Sequence, residues 1–168
     1  MNGEQATVSF IGNTQINLLV PADVQLGTAQ IVVTDNGIAG APLSATVVPA
    51  TPGFFLIGTA NGNGYIAAEH SDGSLIGPAN LVKGATTTGA KAGETIQLFA
   101  TGFGSSTHPP SVVIEGIPAT VAFSGVISPG LYQINVTVPA GLAPGDASVV
   151  AFVGNAESQP GAFITIGQ

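Results

Sequence analysis

Hydrophobic and polar residues alternate along most of this chain in short runs, which is the pattern of half-buried β-strands. In the first 49 residues, Ile16, Leu18 and Val20 share one face of such a run, and residues 28–34 and 43–48 repeat the alternation. Between these last two runs, Asp35-Asn-Gly37 predicts a tight hairpin turn, because Asn and Gly accept positive φ at low cost. A helical period extends nowhere beyond about two turns, so the pattern predicts an all-β protein.

Residues 91–168 predict a longer set of strands. In the first, Ile96 and Leu98 point inward while Thr95 and Gln97 point outward, and Gly102-Phe-Gly104 ends that strand in a sharp turn. The strands expected after it are residues 112–114, 119–123, 131–138, 147–153 and 162–166. Turn signals recur roughly every 8 to 12 residues, which is the spacing of a β-sandwich.

Residues 50–90 interrupt this regularity and predict a connector. It begins with Pro52-Gly53 and a short apolar run, residues 54–57, and it contains a strand at residues 65–69 before the hairpin turn Ser71-Asp-Gly-Ser74. Residues 83–93 are Gly/Thr-rich and predict a loop. Since one hairpin is not stable alone in water, we expect the connector to pack on one or both flanking modules.

Two segments of the chain are nearly the same. Tyr132-Gln-Ile-Asn-Val-Thr-Val-Pro139 resembles the earlier Gln15-Ile-Asn-Leu-Leu-Val-Pro21, and a glycine follows each proline at the same distance. Each matched pair (Gln15 and Gln133, Pro21 and Pro139, Gly27 and Gly145) is separated by 118 residues. The repeat predicts two related modules, at residues 1–49 and 91–168, with the connector at 50–90 between them.

The charge of the chain narrows the classes of partner. It has only eleven charged residues, two Lys, no Arg and nine acids, and its net charge is −7. With so few cationic side chains, we expect the chain to bind neither nucleic acid nor anionic lipid. A weakly charged surface is typical of secreted proteins and of self-associating filaments. There is no Cys, so packing alone must stabilise the fold.

The start of the chain is polar, Met1-Asn-Gly-Glu, and predicts no signal peptide. An exported protein would therefore have this chain as a mature form or a fragment. No apolar run reaches the roughly 20 residues that cross a bilayer.

The second module resembles the IPT/TIG immunoglobulin-like domains, through residues 93–104, Val113-Ile-Glu-Gly-Ile-Pro-Ala-Thr120, residues 133–140 and Gly145. The whole chain is similar to an uncharacterised C-terminal region of large exported proteins of acidobacterial type. The segments that carry this second resemblance are residues 15–21, Pro52-Gly-Phe-Phe, Asp72-Gly-Ser-Leu75, Pro78-Ala-Asn80, Thr101-Gly-Phe-Gly104 and residues 131–145. The resemblance implies two immunoglobulin-like (IPT/TIG-like) β-sandwich modules, the first N-terminally incomplete, joined by a β-hairpin-containing connector. It also implies export, and it brings no catalytic residues.

The first residues of the first module match a segment that lies well inside the second module, not its start. Gly3-Glu-Gln-Ala-Thr-Val8 matches Gly116-Ile-Pro-Ala-Thr-Val121, so the counterpart of residues 94–115, two strands, is missing. A sandwich without them exposes an apolar face and an unpaired edge. Three alternatives could cover this face and edge: residues upstream of Met1, residues 54–57 folding back, or a strand from a neighbouring molecule.

The chain offers few residues for chemistry. His70 lies close to Glu69 and Asp72 and precedes a hairpin turn, and His108 lies beside Pro109-Pro110, so we interpret both as solvated residues. Ser, His and Asp are all present, yet no Gly-x-Ser-x-Gly elbow occurs to activate a nucleophile. We therefore predict no catalytic, cofactor-binding or metal-binding residues, no cofactor and no enzyme activity.

Three weaker site hypotheses come from other residue types. Asp72-Gly-Ser with Glu69, and Asp35-Asn-Gly, offer oxygen ligands for Ca²⁺, but both are ordinary turn sequences. A Lys–Asn crosslink would need Lys83 or Lys91 buried beside an acid, and both are predicted in a loop. Tyr65, Tyr132 and the Phe residues could form a carbohydrate platform, but Trp is absent and we expect most Phe in the core.

The sequence thus favours a non-enzymatic structural, spacer or adhesion module of an exported or cell-surface bacterial protein. One alternative is a self-assembling extracellular filament or sheath subunit that uses β-strand complementation, and a second is a carbohydrate-binding module. The expected partners are other domains of the same polypeptide or neighbouring subunits, with strand addition at the first module as one route.

Overall fold

The computed structural model describes residues 1–104 and 109–168, and His108 lies outside this range. The described residues are 53% strand and contain no helix, which confirms the all-β prediction. None of them forms a helix that could span a membrane. The chain divides into two compact units, Met1–Pro49 (unit 1) and Ala50–Gln168 (unit 2).

Unit 1 is built from antiparallel strand pairs that remain separate sheets. Its strands are β1 (Thr7–Ile11), β2 (Ile16–Leu19), β3 (Gly27–Ile31), β4 (Thr34–Asp35), β5 (Ile38–Ala39) and β6 (Leu43–Val47). The pairs are β1 with β2, β3 with β6, and β4 with β5. Asn36 and Gly37 both have positive φ, 47° and 81°, and they join β4 to β5 in the predicted tight turn.

Unit 2 contains one sheet of thirteen strands among the described residues. They are β7 (Gly53–Phe54), β8 (Leu56–Ala60), β9 (Asn63–Ile66), β10 (Ala68–Glu69), β11 (Leu75–Ile76), β12 (Thr87–Thr88), β13 (Thr95–Thr101), β14 (Ser111–Ile114), β15 (Ile117–Ser128), β16 (Leu131–Thr137), β17 (Gly145–Val153), β18 (Ala156–Glu157) and β19 (Ala162–Ile166). The order across the sheet is β12-β11-β10-β13-β16-β15-β14-β17-β19-β9-β8, with β7 on β13 and β18 on β17.

This sheet is curled and mixed, and it does not confirm the predicted pair of immunoglobulin-like sandwiches. Most neighbours are antiparallel, but β11 with β12 and β9 with β19 are parallel. The core is one cluster made by alternate residues of the central strands, and Ile96 and Leu98 are buried in it as predicted. Curling brings side chains from distant strands into one core because a sheet buries one face when it bends on itself.

The prediction of a separate connector strand at residues 65–69 is wrong in detail. The strand breaks at Ala67, and its two halves join different edges: β9 pairs with β8 and β19, whereas β10 pairs with β11 and β13. The predicted hairpin turn between Glu69 and Leu75 does form. Residues 83–93, predicted as a loop, also contain β12 and a bridge from Ala90 to Ile166.

The two units share the same strand pairing. In β1 and β2, Phe10 lies opposite Asn17, and in β15 and β16, Phe123 lies opposite Asn135. Both pairs follow a β-bulge at the same place, after Val8 and after Val121. A side-chain hydrogen bond recurs as well, because Gln15 Nε2 donates to Asn17 Oδ1 over 2.5 Å and Gln133 Nε2 donates to Asn135 Oδ1 over 2.7 Å.

The equivalence continues into the later strands. Thr34 pairs with Ala39 in unit 1 as Phe152 pairs with Glu157 in unit 2. The pairing of β3 with β6 likewise matches that of β17 with β19. Unit 1 thus has the register of β15 to β19, and its 49 residues include no counterpart of β13 or β14.

Candidate interaction site

His70 is a structural link, contrary to the expectation of a solvated residue. Its Nδ1 lies 2.5 Å from Glu94 Oε1, and its Nε2 lies 2.9 Å from Thr88 Oγ1. The other Glu94 oxygen, Oε2, accepts a hydrogen bond from the Lys91 backbone N–H over 2.9 Å. Both ring nitrogens have protein partners, so the His70 side chain links Thr88 of β12 to Glu94, the residue that precedes β13. The sequence separation of 24 residues between His70 and Glu94 gave no signal of this contact.

Tyr65 is a core residue, which agrees with the expected core role and removes it from the carbohydrate platform. Its side chain is 1% exposed, and its hydroxyl donates to Asp146 Oδ2 over 2.8 Å. Burial, the hydrogen bond to Asp146 and the negative charge of Asp146 together raise the pKa of Tyr65 to about 12. Tyr132 is half-buried and stacks on Phe103, with ring centroids 4.7 Å apart.

The prediction that most Phe residues lie in the core is wrong. Phe54 and Phe103 are buried, whereas Phe10, Phe55 and Phe123 are more than 40% exposed and the remaining three are half-buried. Strand alternation places a phenylalanine on either face, so its burial depends on whether another element covers that face.

The acidic turn residues accept hydrogen bonds from their own turns. Asp72 Oδ1 accepts from the Ser74 hydroxyl over 2.7 Å and from the Ser74 backbone N–H over 2.9 Å, and these bonds hold its pKa below the ordinary value. No three His, Asp or Glu side chains within residues 1–104 and 109–168 could hold a metal ion together. Lys83 and Lys91 are exposed, which does not favour a buried crosslink.

The feature that stands out is the apolar surface of unit 1. Nineteen large hydrophobic residues of the described chain are more than about one third exposed, and thirteen of them lie in unit 1. These thirteen are Val8, Phe10, Ile11, Ile16, Leu18, Leu19, Val20, Leu26, Val32, Val33, Ile38, Leu43 and Val48. Such a concentration in 49 residues is unusual for the surface of a soluble protein and is typical of an interaction surface.

The β-bulge in β1 gathers part of this surface on one face. Val8 pairs with Leu18 and Ile11 pairs with Ile16, so all four side chains share one side of the β1–β2 hairpin. Without the bulge, Val8 and Ile11 would point to opposite sides, because side chains alternate along a strand. The other side of the hairpin is mixed, because it carries the pair Thr7 with Leu19 and the pair Phe10 with Asn17.

The β3–β6 hairpin, in contrast, is amphipathic. Thr28 and Gln30 pair with Thr46 and Ser44 on its polar side, where Gln30 Nε2 donates to Ser44 Oγ over 2.8 Å. The opposite side carries Ala29, Ala45, Ile31, Leu43 and Val47. Ala29 is the one hydrophobic residue in residues 1–49 that is buried.

Equivalent positions of unit 2 show what the missing strands would cover. Ile134 and Val136, in the strand that pairs with β13, are fully buried, whereas their equivalents Ile16 and Leu18 are 41% and 36% exposed. Ala151, opposite β14, is fully buried, whereas its equivalent Val33 is 51% exposed. The strand register is the same in the two units, but unit 2 adds β13, β14 and the core residues of segment 50–90, such as Phe54, Ile66 and Ile76.

The first residues of unit 1 are equivalent to the residues that follow β14 in unit 2. The Asn2 backbone N–H donates to Gln30 O over 2.9 Å, and the Gln30 N–H donates to Asn2 Oδ1 over 2.7 Å. Glu115 and Ser148 make the same pair of hydrogen bonds, over 2.8 Å and 2.9 Å. Asn2 thus occupies the turn position of Glu115, and the Asn-Gly dipeptide at residues 2 and 3 is the sequence signal that could have located it.

Residues 54–57 pair with strands of unit 2. Phe54 pairs with Ala100, and Leu56 pairs with Ile66, both within unit 2. The Gln159 side chain also holds Phe54, since its Oε1 accepts from the Phe54 N–H over 2.8 Å and its Nε2 donates to the Phe54 carbonyl over 2.7 Å. These contacts hold residues 54–57 in the sheet of unit 2.

Comparison of the chain with protein-family models, with curated proteins and with solved structures finds no match.

Proposed function

We propose that this chain is a non-enzymatic structural or adhesion module of an exported or cell-surface bacterial protein, and that unit 1 is the part that contacts other polypeptides. In this proposal both units are immunoglobulin-like modules of the IPT/TIG type, the first lacking two strands. The observation that carries it is the unequal burial of equivalent residues, with Ile16, Leu18 and Val33 exposed where Ile134, Val136 and Ala151 are covered.

The polar contacts of unit 2 support a structural role. The side chains best suited to chemistry, His70, Tyr65, Glu94 and Asp146, make contacts that link neighbouring or nearby strands. Ser158 Oγ, which is buried, accepts a hydrogen bond from the Ala151 N–H over 3.0 Å. Such contacts stabilise the sheet. We therefore look for the function in the surface of the chain and not in these side chains.

The test is whether the apolar face of unit 1 is accessible in solution. We expect an environment-sensitive hydrophobic dye to bind the full chain, and binding to fall when Ile16 and Leu18 are replaced by Ser. The matched control is Val126→Ser with Ile127→Ser, since these two residues are also exposed but lie in unit 2. Dye binding that is absent, together with amide hydrogen exchange in unit 1 as slow as in unit 2, would contradict the proposal.

A second candidate is self-assembly into a filament or sheath, favoured by the open strand edges of unit 1 and the eleven charged residues in 168. It predicts that the mass measured by light scattering rises with protein concentration and that Leu18→Asp abolishes the rise. A constant monomer mass at all concentrations up to about 1 mM would rule it out.

A further inference from the structure

We propose that Asn36 is a site of spontaneous deamidation, at which an aspartyl or isoaspartyl residue replaces the asparagine in the folded chain. The modification is separate from the proposed function, since it needs no partner. Three features of the molecule support it: the residue that follows Asn36, the exposure of the turn, and the short strands on either side of the turn.

Deamidation begins at the backbone nitrogen of the residue that follows the asparagine. In this turn the Gly37 nitrogen attacks the side-chain carbon Cγ of Asn36, so that an N–Cγ bond forms and the Cγ–Nδ2 bond breaks. The side-chain nitrogen leaves as ammonia, carrying the proton of the Gly37 N–H, and a five-membered succinimide ring remains. Water then opens the ring at either of its two carbonyl carbons, which gives aspartate or isoaspartate. One water is consumed and one ammonia is released, so the step needs no oxidant or reductant.

A glycine after the asparagine favours this attack, because it has no Cβ to obstruct the approach of its nitrogen. The chain has four Asn-Gly dipeptides, at residues 2–3, 36–37, 61–62 and 63–64. They share the same reactive pair of residues and differ in their surroundings, so the fold decides how fast each one reacts.

The dipeptide at residues 63–64 is protected by its contacts. Asn63 Nδ2 donates to Asp146 Oδ2 over 3.2 Å, and the Gly64 N–H donates to the Gly161 carbonyl over 3.2 Å. Both groups that must react are therefore held by other partners. Asn63 and Gly64 also belong to β9, and Gly64 is buried, so this dipeptide should react slowly.

The turn at Asn36 and Gly37 has the opposite character. Both residues are exposed, and β4 and β5 have only two residues each. Within the described part of the chain, these two strands pair with each other and with no further strand. The closed turn fixes the backbone between Asn36 and Gly37, so the turn must open before the nitrogen can reach Cγ. A hairpin of two residue pairs opens at a small cost in free energy, and the reactive conformation is therefore accessible.

The other two dipeptides lie in turns that are held more firmly. Asn61 and Gly62 connect β8 to β9, which form four residue pairs, and β9 also pairs with β19. Asn2 Oδ1 accepts a hydrogen bond from the Gln30 N–H over 2.7 Å, and the Asn2 N–H donates to the Gln30 carbonyl over 2.9 Å. We therefore expect Asn36 to react faster than Asn61 or Asn2.

Unit 2 contains a natural control for this site. Its β17–β18 turn is equivalent to the β4–β5 turn, but the order of the two turn residues is reversed, Gly154-Asn155. Asn155 is exposed like Asn36, yet the next residue is Ala156, whose Cβ hinders the attack. The two equivalent turns thus differ in the residue that supplies the attacking nitrogen.

The modification would change unit 1 in two ways. A carboxylate at position 36 adds a negative charge beside Asp35. Isoaspartate also adds one carbon atom to the backbone, and a two-residue turn cannot accept that atom without disturbing the pairing of Asp35 with Ile38.

The test is to incubate the folded full chain at mildly alkaline pH and to follow each asparagine by peptide mass spectrometry. Pepsin digestion at acidic pH stops the reaction, and fragmentation of the peptides locates the change. Asn36 should gain about 1 Da, because OH replaces NH₂. We expect this gain to be at least about tenfold faster than at Asn63 or Asn155. The rate should rise with pH, since the backbone nitrogen attacks in its deprotonated form.

Two controls separate the effect of the fold from that of the dipeptide. In urea, Asn36, Asn61 and Asn63 should react at similar rates, because glycine follows each of them and no hydrogen bond protects them. Exchange of the turn residues, Asn36→Gly with Gly37→Asn, gives the order found at residues 154–155 and keeps both residue types. This variant should lose the rapid reaction at the turn.

Three results would overturn the inference. An Asn36 that stays unmodified in the folded chain, over a time that converts it in urea, would mean that the turn remains closed. Rates in the folded chain that are equal at Asn36 and Asn63, or at Asn36 and Asn155, would mean that neither the contacts nor the following residue controls the reaction. Faster reaction at Asn61 or Asn2 than at Asn36 would contradict the role given to the short strands.

Discussion

The hydroxyl of Tyr65 donates a hydrogen bond to Asp146 Oδ2 over 2.8 Å and so connects β9 to β17, the two strands on either side of β19. The phenol keeps its proton more strongly in the folded chain because burial and the nearby carboxylate both disfavour phenolate, and its pKa is about 12.

The first prediction concerns the titration of Tyr65. In a Tyr132→Phe background, phenolate absorbance should rise with a midpoint near pH 12, and Asp146→Asn should shift the midpoint towards the ordinary value of about 10. Because the folded pKa is raised, the stability that Tyr65 contributes is complete below about pH 10 and is lost as pH rises towards 12. An unchanged midpoint in Asp146→Asn would contradict the role given to this carboxylate.

The second prediction concerns Gly102, whose φ is +75°. A Cβ there would lie 2.0 Å from the Thr51 carbonyl oxygen, so Gly102→Ala should lower the free energy of unfolding by about 3 kcal/mol or more. The matched control is Gly116→Ala, with φ +77° and nothing within 4 Å of the added Cβ. It should cost only the left-handed backbone strain, about 1–2 kcal/mol. If urea denaturation gave the same loss of unfolding free energy for both variants, the clash with Thr51 would not explain the cost of Gly102→Ala.

The third prediction compares equivalent residues of the two units. Ile134→Ala should destabilise unit 2 by about 2–5 kcal/mol because it opens a cavity in the core cluster. Ile16→Ala should cost less than about 1 kcal/mol, since that side chain is 41% exposed. Amide hydrogen exchange measures the stability of each unit separately. If Ile16→Ala cost as much as Ile134→Ala, the apolar face of unit 1 would be covered in solution.

The fourth prediction concerns the His70–Glu94 contact. A double-mutant cycle with His70→Ala and Glu94→Ala should give a coupling energy of about 1 kcal/mol at neutral pH, because the two side chains are only 13% and 22% exposed. The cycle of His70→Ala with Glu157→Ala, whose carboxylate is exposed on β18, is the control and should give none. Additive effects in the first cycle would show that the contact contributes nothing to stability.

The fifth prediction concerns a buried hydroxyl. Among the described residues, Thr165 Oγ1 is buried and has no hydrogen-bond partner. Thr165→Val keeps the shape of the side chain and removes the cost of desolvating the hydroxyl, so it should leave stability unchanged or raise it by about 1 kcal/mol. A loss of more than about 1 kcal/mol on thermal unfolding would mean that Thr165 has a partner in solution.

Part of the interaction site is predictable from the sequence. The match of residues 3–8 to residues 116–121 is enough to locate the two missing strands, and the shared register of β1 with β2 and β15 with β16 agrees with it. The grouping of Val8, Ile11, Ile16 and Leu18 on one side of the first hairpin is only half predictable. The alternation of β2 places Ile16 and Leu18 on one side, but Val8 and Ile11 share that side only because of the bulge.

What the sequence by itself determined is local. The two-residue alternation, the Asn36-Gly37 turn and the absence of helical periodicity specify strands and tight turns, because backbone preference and side-chain direction depend on near neighbours. Only the tertiary structure decided that the strand at residues 65–69 breaks at Ala67, that His70 contacts Glu94, and that Ile134 is buried while Ile16 is exposed. Each of these depends on which distant strand occupies an edge, and a strand's own residues do not encode whether its partner is present.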